Sequence, residues 1–303
     1  MVLADVLRVV VVVPVFFYAS YRDILERRVR DHVWYPLVVV GVLALVIDLL
    51  NTPDPQSLLI FAALNLGIGV LFGSVFYYGL GTFGGADMKA LIVISLLFPI
   101  YPVFVGVPVL DYIPVILPRT DLFVLSVLGN TVIVGAFYPL SLLFENVTER
   151  NFTNPLLMFV GKRVRVENLH RHYGRLLREP YSVISLLRSS FSSPSGYSRS
   201  NNDTTGITDL DFIRDYVDWL GVDNVKEVDS FSLDEFVDQT EWGSDDIEKD
   251  EEALKNLVEY LEERDEVWIS PGIPFIVPMT IGLILALTVG DLLFMFLRLF
   301  FSP

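Results

Sequence analysis

Long apolar stretches place the strongest constraint on what this chain can fold into. A helix needs roughly 20 mostly apolar residues to cross a bilayer, and a backbone inside lipid must satisfy its own hydrogen bonds. The sequence therefore predicts an all-α integral membrane protein with six transmembrane helices. The stretches of suitable length and polarity cover residues 2–20, 33–50, 57–80, 88–108, 121–144 and 273–299.

The first stretch is interpreted as a membrane helix and not as a cleavable signal peptide. It contains Asp5 and Arg8 in place of a basic start, and no clear small-residue cleavage site follows it. The predicted organisation is a membrane domain of residues 1–145, an insert of residues 146–272 and a sixth helix within residues 273–303. The fourth helix is expected to end early or to kink, because its second half contains Pro99, Pro102 and Pro108.

Basic residues are unevenly distributed among the connections between these stretches. The connection 51–57 has none, a basic segment follows the fifth stretch, and the first connection holds Arg22, Arg27, Arg28 and Arg30. Cytoplasmic loops are enriched in Lys and Arg close to the membrane. We therefore expect a multi-pass protein of the cytoplasmic membrane, with both termini outside and with the first connection, the third connection and the insert in the cytoplasm.

The insert changes composition along its length. Residues 161–167 alternate in the manner of a short strand, residues 189–206 predict a polar linker, and residues 209–220 and 245–263 have helical spacing. Residues 201–266 carry a net charge of −18, against −15 for the whole chain, so the membrane body is weakly basic. We interpret the many acidic residues of this segment as a means of solvation in a salt-rich, halophilic cytoplasm. Attraction of a basic substrate segment is the alternative, although high salt would screen it.

Residue types exclude several kinds of chemistry. The chain has no cysteine, which rules out disulfides and thiolate catalysis. His170 and His172 lie in a basic segment without a nearby acidic or thiol cluster, so a solvated loop is favoured over a metal site. We expect no metal, no cofactor and no nucleic-acid partner, and the sequence leaves the oligomeric state open. Asp48, Asn65 and Asp291 are polar residues inside apolar stretches, and of these Asp48 and Asp291 are interpreted as boundary charges and not as an ion path.

Two aspartates stand at ends of apolar stretches on the same predicted, cytoplasmic face. Asp23 follows the first stretch, and Asp87 precedes the fourth behind Gly84, Gly85 and Ala86. An ionisable group at the membrane is costly and usually functional, and glycines allow close approach and backbone angles that side chains forbid. The simpler interpretation of the segment around Asp23 is a charged membrane boundary. The simpler interpretation of Asp87 is a helix cap. A cap alone would not need the preceding glycines.

The segments around both aspartates resemble the archaeal type IV prepilin and preflagellin (archaellin) peptidases, which are membrane aspartyl proteases of the GxGD type. The residues that carry the resemblance are Asp23-Ile24 with Arg27, Arg28 and Val29, then Gly84-Gly85-Ala86-Asp87 with Lys89, Ala90 and Leu91. The third motif position is Ala86 where the family usually has glycine, so no positive φ is predicted there. Residues 267–278 are similar to the entry to the last helix in archaeal members. The resemblance covers about residues 1–145 and 266–300.

The resemblance implies that Asp23 and Asp87 are the catalytic residues, with Gly84, Gly85, Ala86 and Lys89 in supporting roles. Two facing carboxylates cannot both ionise cheaply, so they would share one proton. The ionised carboxylate would then accept a proton from water while the other assists the carbonyl or the leaving amine. Which of them starts as the base stays open, because the pair titrates jointly. The implied substrates are prepilin-like and pre-archaellin precursors, which lose a short leader at the cytoplasmic membrane face.

Two other functions fit parts of the pattern. A presenilin-like protease that cuts within helical substrates would use the same carboxylates, but the Pro-Ala-Leu signature of that group is missing. A proton-coupled transporter would be expected to hold its carboxylates near the midplane, often in repeated halves, and no repeat is seen. Lys89 either pairs with a nearby carboxylate or extends to the lipid headgroups, and the second is favoured.

Overall fold

The computed structural model describes residues 2–79, 84–102, 122–172, 174–177, 261 and 263–301. They form two compact units, one of Met1–Tyr138 with Ile273–Pro303 and one of Pro139–Gly272. In the described part, four helical segments are long and apolar enough to cross a membrane: Ala4–Glu26, Asp31–Asn51, Pro55–Tyr78 and Phe123–Thr148. A bent pair of helices near the end of the chain would make a fifth. The described residues therefore support a mostly helical membrane protein with four or five candidate spans, and the predicted number of six is not confirmed.

The first three helices follow the predicted apolar stretches. Helix α1 is Val2–Glu26, α2 is Tyr35–Asn51, and α3 is Pro55–Ser74 and continues as a π-helical turn, Val75–Gly79. Helix α1 extends one and a half turns past the predicted end, so it includes Asp23. Asp54 caps α3 by accepting the N–H of Ser57. Hydrogen bonds from the side chain and the backbone of Ser57 hold the pKa of the Asp54 carboxyl below its usual range.

Helix α4 is short and central. It runs from Gly85 to Leu97, and its buried side chains include Ala90, Leu91 and Ile94. The predicted early end is confirmed, because Pro99 has no N–H to continue the helix and disfavours helical backbone at the residue before it. The rest of the predicted stretch, from residue 103 onward, lies outside the described residues. With 13 residues, α4 is not among the candidate spans.

The last apolar stretch, predicted as one helix, is two helices. Helix α7, Ile276–Thr288, and helix α8, Leu292–Phe301, meet at an angle of 71°. Gly290 lies between them with a φ of 114°, a conformation that glycine adopts without steric cost. Asp291 then caps α8 by accepting the N–H of Phe294 at 2.8 Å. The prediction was wrong here because a tight turn of three residues, 289–291, barely changes the apolar pattern.

Contacts from α5 hold this break in place. Helix α5 is Phe123–Gly135, and its Ser126 hydroxyl donates to Asp291 at 2.9 Å. Asn130 donates to the Gly290 carbonyl and accepts the N–H of Leu292, both at 2.9 Å. Asp291 is thus buried against other helices of its own unit, which the interpretation as a boundary charge did not anticipate.

The second unit contains a small antiparallel sheet. Helix α6, Tyr138–Thr148, leads into it, and the strands are β1, Lys162–Arg165, β2, Gly174–Leu177, and β3, Glu266–Pro271, in the order β1-β3-β2. Val164 pairs with Val267 in the register of β1 and β3. The strand predicted within residues 161–167 is confirmed. The predicted linker 189–206 and helix 209–220 lie outside the described residues, as does most of the predicted helix 245–263.

Candidate active site

Asp23 lies in the last turn of α1 and is tied to the first turn of α7. Its Oδ2 accepts the N–H of Ile276, the first residue of α7, at 3.1 Å, and only 8% of the residue is exposed. One turn earlier in α1, the Ser20 hydroxyl hydrogen-bonds to the Thr280 hydroxyl at 2.7 Å and donates to the Ile276 carbonyl at 3.3 Å. The N-terminus of a helix carries partial positive charge, which favours a carboxylate at this position.

Asp87 lies in the first turn of α4 and caps its own helix. Its Oδ2 accepts the N–H of Gly84 at 2.7 Å, and 7% of the residue is exposed. Gly84 has extended backbone angles, with φ of −75°, and a methyl group on Gly85 would only make ordinary contact with the Tyr77 ring at 3.9 Å. Neither glycine uses a conformation that is closed to other residues, contrary to the expectation from the sequence. Ala86 lies inside the helix without a positive φ, as predicted.

The structure brings the two aspartates together. Asp23 is the charged side chain that acts electrostatically on the Asp87 carboxyl. Each carboxyl uses Oδ2 to accept a backbone N–H at a helix N-terminus, and Oδ1 of each has no hydrogen-bond partner within the described ranges. Two nearly buried carboxyls that each keep one free oxygen can exchange protons with a water or a substrate placed between them.

Lys89 connects the two motif segments. Its Nζ lies 2.5 Å from Oδ1 of Asp31, in the 3₁₀ turn Asp31–Val33 between α1 and α2. Of the two alternatives from the sequence, the structure therefore contains the ion pair and not a lysine that only extends to headgroups. Both side chains are exposed, and such pairs contribute at most about 1 kcal/mol.

Arg27 is among the residues that carry the family resemblance, but the sequence assigned it no role at this site. It follows the last residue of α1 with a φ of 52°, and its backbone N–H donates to the Asp23 carbonyl at 3.1 Å. Its charge acts on Asp23, yet its Nε and Nη1 are buried without a hydrogen-bond acceptor in the described structure. The neighbouring Arg28 is exposed. The sequence shows four arginines in this connection but gives no sign of which one turns inward.

Other buried polar groups join helices of the first unit away from the aspartates. Arg8 lies 2.7 Å from both Asp5 and Asp48, so Asp48 is a buried ion-pair partner and not a boundary charge. Asn65 donates to the Pro99 carbonyl at 2.6 Å and accepts the N–H of Val124 at 3.1 Å. These contacts link α1 with α2 and α3 with α4 and α5.

A polar cavity of about 260 Å³ lies near the same end of α1. Neither aspartate lines it; its lining residues are Tyr18, Arg22, Arg30, His32 and Val33. In the ranges that the structure covers, no group of three or more His, Asp or Glu side chains could hold a metal ion. His172 is among the described residues. The solvated loop predicted around it includes a short 3₁₀ segment, Val166–Arg171.

The fold and the site define a helical membrane protein with two nearly buried carboxyls from different helices beside each other. The chain belongs to the archaeal prepilin and preflagellin peptidase family. Residues 10–140 match the model of the type IV leader peptidase family, and residues 222–292 match that of the archaeal peptidase A24 C-terminus, type II. A preflagellin peptidase of Methanococcus maripaludis is 28% identical over 171 residues, which cover 52% of this chain and 68% of the relative.

These matches support a protease with a leader peptidase role. They also extend the resemblance beyond the ranges that the sequence indicated, about residues 1–145 and 266–300. The match to the C-terminal model begins at residue 222, well inside the acidic segment.

Proposed function

We propose that this protein is a membrane aspartic endopeptidase in which Asp23 and Asp87 remove the leader from pilin-like and archaellin precursors at the cytoplasmic membrane face. The observation that carries the proposal is the pair itself, two nearly buried carboxyls that interact electrostatically, each with one oxygen that has no hydrogen-bond partner among the described residues. The metal-free chemistry of two carboxyls is sufficient for amide hydrolysis. The printed name of the Methanococcus relative, a preflagellin peptidase, supports the class of substrate.

The reaction needs one carboxylate and one carboxylic acid. The carboxylate takes a proton from water as the water oxygen bonds to the scissile carbonyl carbon, and the carboxylic acid gives its proton to the carbonyl oxygen. The C–N bond then breaks as the nitrogen takes the first of these protons, and a hydroxyl of the intermediate returns the second. The products are a free amine and a new carboxyl group, and the pair regains its single shared proton.

The position of the pair along its helices supports a cut at the membrane boundary. Asp23 lies at the end of a candidate span, and Asp87 lies at the start of α4. The leader peptides implied by the family resemblance have a short charged segment followed by an apolar helix, and the junction of the two would reach the same depth. The arginine-rich connection after α1 supports the cytoplasmic side for this end, since such loops stay in the cytoplasm.

Separate Asp23→Asn and Asp87→Asn variants test the proposal. Asparagine keeps the size of the side chain and an oxygen that can accept the N–H of Ile276 or Gly84, so the fold should persist. We expect each variant to process a pre-archaellin-type precursor at least about a thousand-fold more slowly than the wild type. The readout is the conversion of precursor to the shortened product in membranes.

Asp54→Asn is the matched control, because Asp54 also caps a helix of this unit but is exposed. It should process at the wild-type rate. Full processing by either the Asp23 or the Asp87 variant would refute the aspartyl pair.

A further inference from the structure

We propose that Arg27 is a third catalytic residue, whose guanidinium donates a hydrogen bond to the carbonyl oxygen of the scissile peptide bond. This inference rests on the proposed function and deepens it. It assigns the group that stabilises the negative charge which develops on that oxygen as water attacks.

The first observation is that two nitrogens of this part-buried guanidinium are shielded and have no acceptor among the described residues. Arg27 Nε and Nη1 are shielded from solvent and have no hydrogen-bond partner among the residues that the structure covers. Buried polar groups in native proteins are nearly always hydrogen-bonded, and exceptions often mark a place that a ligand fills. A peptide carbonyl is an acceptor of the right kind for such a donor.

The second observation is the location of Arg27 beside the aspartyl pair. Its backbone N–H is bonded to the Asp23 carbonyl at 3.1 Å, and its charge acts on the Asp23 carboxyl. The two side chains nevertheless form no salt bridge. The charge of the guanidinium therefore acts on the Asp23 carboxyl, while Nε and Nη1 stay available to a third group.

The other charged side chains near Arg27 either have an ion-pair partner or are exposed. Arg22 pairs with Glu26, and Lys89 pairs with Asp31, so both carboxylates already have a cation. Arg28 and Arg30 are exposed and can be hydrated. Only Arg27, of the four arginines in this connection, combines shielded guanidinium nitrogens with the absence of an acceptor among the described residues.

The third observation is the backbone conformation. Arg27 ends α1 in the left-handed region, with a φ of 52°, where glycine is the usual residue. The turn therefore does not explain why the residue has a side chain. Arg150, after the end of α6, has a similar φ of 58° but is exposed. A variant at Arg150 therefore tests the effect of the left-handed backbone without that of shielded guanidinium nitrogens.

The chemistry requires no additional reactant. As water bonds to the carbonyl carbon, the π electrons of the carbonyl move to its oxygen, and the Arg27 N–H groups stabilise that charge until the carboxylic acid of the pair protonates it. Charged donors aimed at a developing oxyanion in a dry site are among the strongest catalytic contributions. Arg27 exchanges no proton, so the overall reaction is the hydrolysis described above.

The test is Arg27→Gly, a variant that suits the left-handed backbone and removes only the side chain. We expect kcat for precursor cleavage to fall about 100- to 1,000-fold, with KM changed less than about three-fold. Added ethylguanidinium at millimolar concentration should raise the cleavage rate of Arg27→Gly at least about ten-fold, because it can occupy the vacated space. Arg27→Lys should retain only part of the activity, since an ammonium group has a different donor geometry.

Two matched controls accompany the test. Arg150→Gly makes the same backbone change at an exposed helix end, and Arg28→Gly removes the neighbouring positive charge; both should cleave at the wild-type rate and gain nothing from ethylguanidinium. Cleavage by Arg27→Gly within three-fold of the wild type would overturn the inference, as would a loss without rescue in a protein of unchanged melting temperature. If Asp23→Asn and Asp87→Asn are inactive in the same assay, such a result removes the role of Arg27 and leaves the proposed function intact.

Discussion

At the residue scale, the two aspartates differ in what fixes their side chains. Asp87 accepts an N–H three residues earlier in the chain, so the local sequence Gly84-Gly85-Ala86-Asp87 is enough to orient it. Asp23 instead accepts the N–H of Ile276, more than 250 positions away in sequence. The sequence could therefore identify both residues as candidates, whereas the hydrogen bond that orients Asp23 depends on the tertiary fold.

The same distinction explains what sequence reasoning missed. Arg27 and Arg28 are adjacent and chemically identical, yet Arg27 is part-buried with Nε and Nη1 shielded from solvent, and Arg28 is exposed. The left-handed backbone at Arg27 determines which arginine turns inward, and no residue type in that segment indicates this conformation. The pairing of Lys89 with Asp31 likewise required two segments to meet whose separation in sequence is 58 residues.

The ion pairs of Arg8 lead to a prediction about stability. Arg8 is almost fully buried and is the cation shared by Asp5 and Asp48. Removing one member of a buried charge cluster leaves the others without compensation, which typically costs 3–5 kcal/mol. We expect Arg8→Met to lower the unfolding free energy by about that amount, visible as a lower melting temperature of the detergent-solubilised protein.

The pair of Lys162 with Glu145 supplies the comparison. It is partly exposed, with 21% and 40% of the two side chains accessible, so Lys162→Met should cost at most about 1 kcal/mol. Equal melting temperatures for the Arg8 and Lys162 variants would show that the buried cluster does not stabilise the helices.

At the scale of elements, apolar patterning located helices well but not their interruptions. All six predicted stretches begin within three residues of a helix start, and the proline-based end of α4 is confirmed. The break between α7 and α8 depends instead on hydrogen bonds from Ser126 and Asn130 of α5. Contacts of this kind join distant parts of the chain, and hydropathy contains no information about them.

Helix α7 is the element on which the site depends most. Its first residue supplies the N–H to Asp23, and the most extensive helix contact in the described residues joins it to α5. Gly282 makes this contact possible, since a Cβ there would lie 2.5 Å from Thr131 Oγ1 and 2.8 Å from Thr131 N. Close approach to backbone cannot be relieved by rotating a side chain.

We therefore expect Gly282→Ala to push α7 away from α5. Overpacking of this kind costs about 1–3 kcal/mol, and the displacement should also weaken the hydrogen bond between Ile276 and Asp23. Both the melting temperature and the rate of precursor cleavage should fall. In Gly67→Ala, where no atom lies within 4 Å of the added methyl group, both should be maintained. Unchanged cleavage and stability in the Gly282 variant would refute a tight contact at this position.

At the scale of the whole molecule, composition locates the acidic segment but does not show which family region that segment belongs to. The net charge of −18 in residues 201–266 marks a distinct segment, and the structure divides into two units of which the second is Pro139–Gly272. The family match from residue 222 shows that part of the acidic segment belongs to the family's C-terminal region. The acidic composition by itself could not show this, because a high content of Asp and Glu affects solvation but does not identify a protein family.

The orientation in the membrane is a property of the whole chain, and its natural lack of cysteine makes it directly testable. Arg28, Gln56 and Glu167 are exposed, and the candidate span that contains α2 separates the first two of them. Single Arg28→Cys and Glu167→Cys variants should react with a membrane-impermeant maleimide only in inverted vesicles, and Gln56→Cys only in intact cells. The physical reason for this expectation is the arginine excess after α1, because connections rich in Lys and Arg are enriched on the cytoplasmic side. Labelling of positions 28 and 56 from the same side would show that α2 does not cross the membrane, and a full reversal of the pattern would place Asp23 and Asp87 at the outer face, where no cytoplasmic leader could reach them.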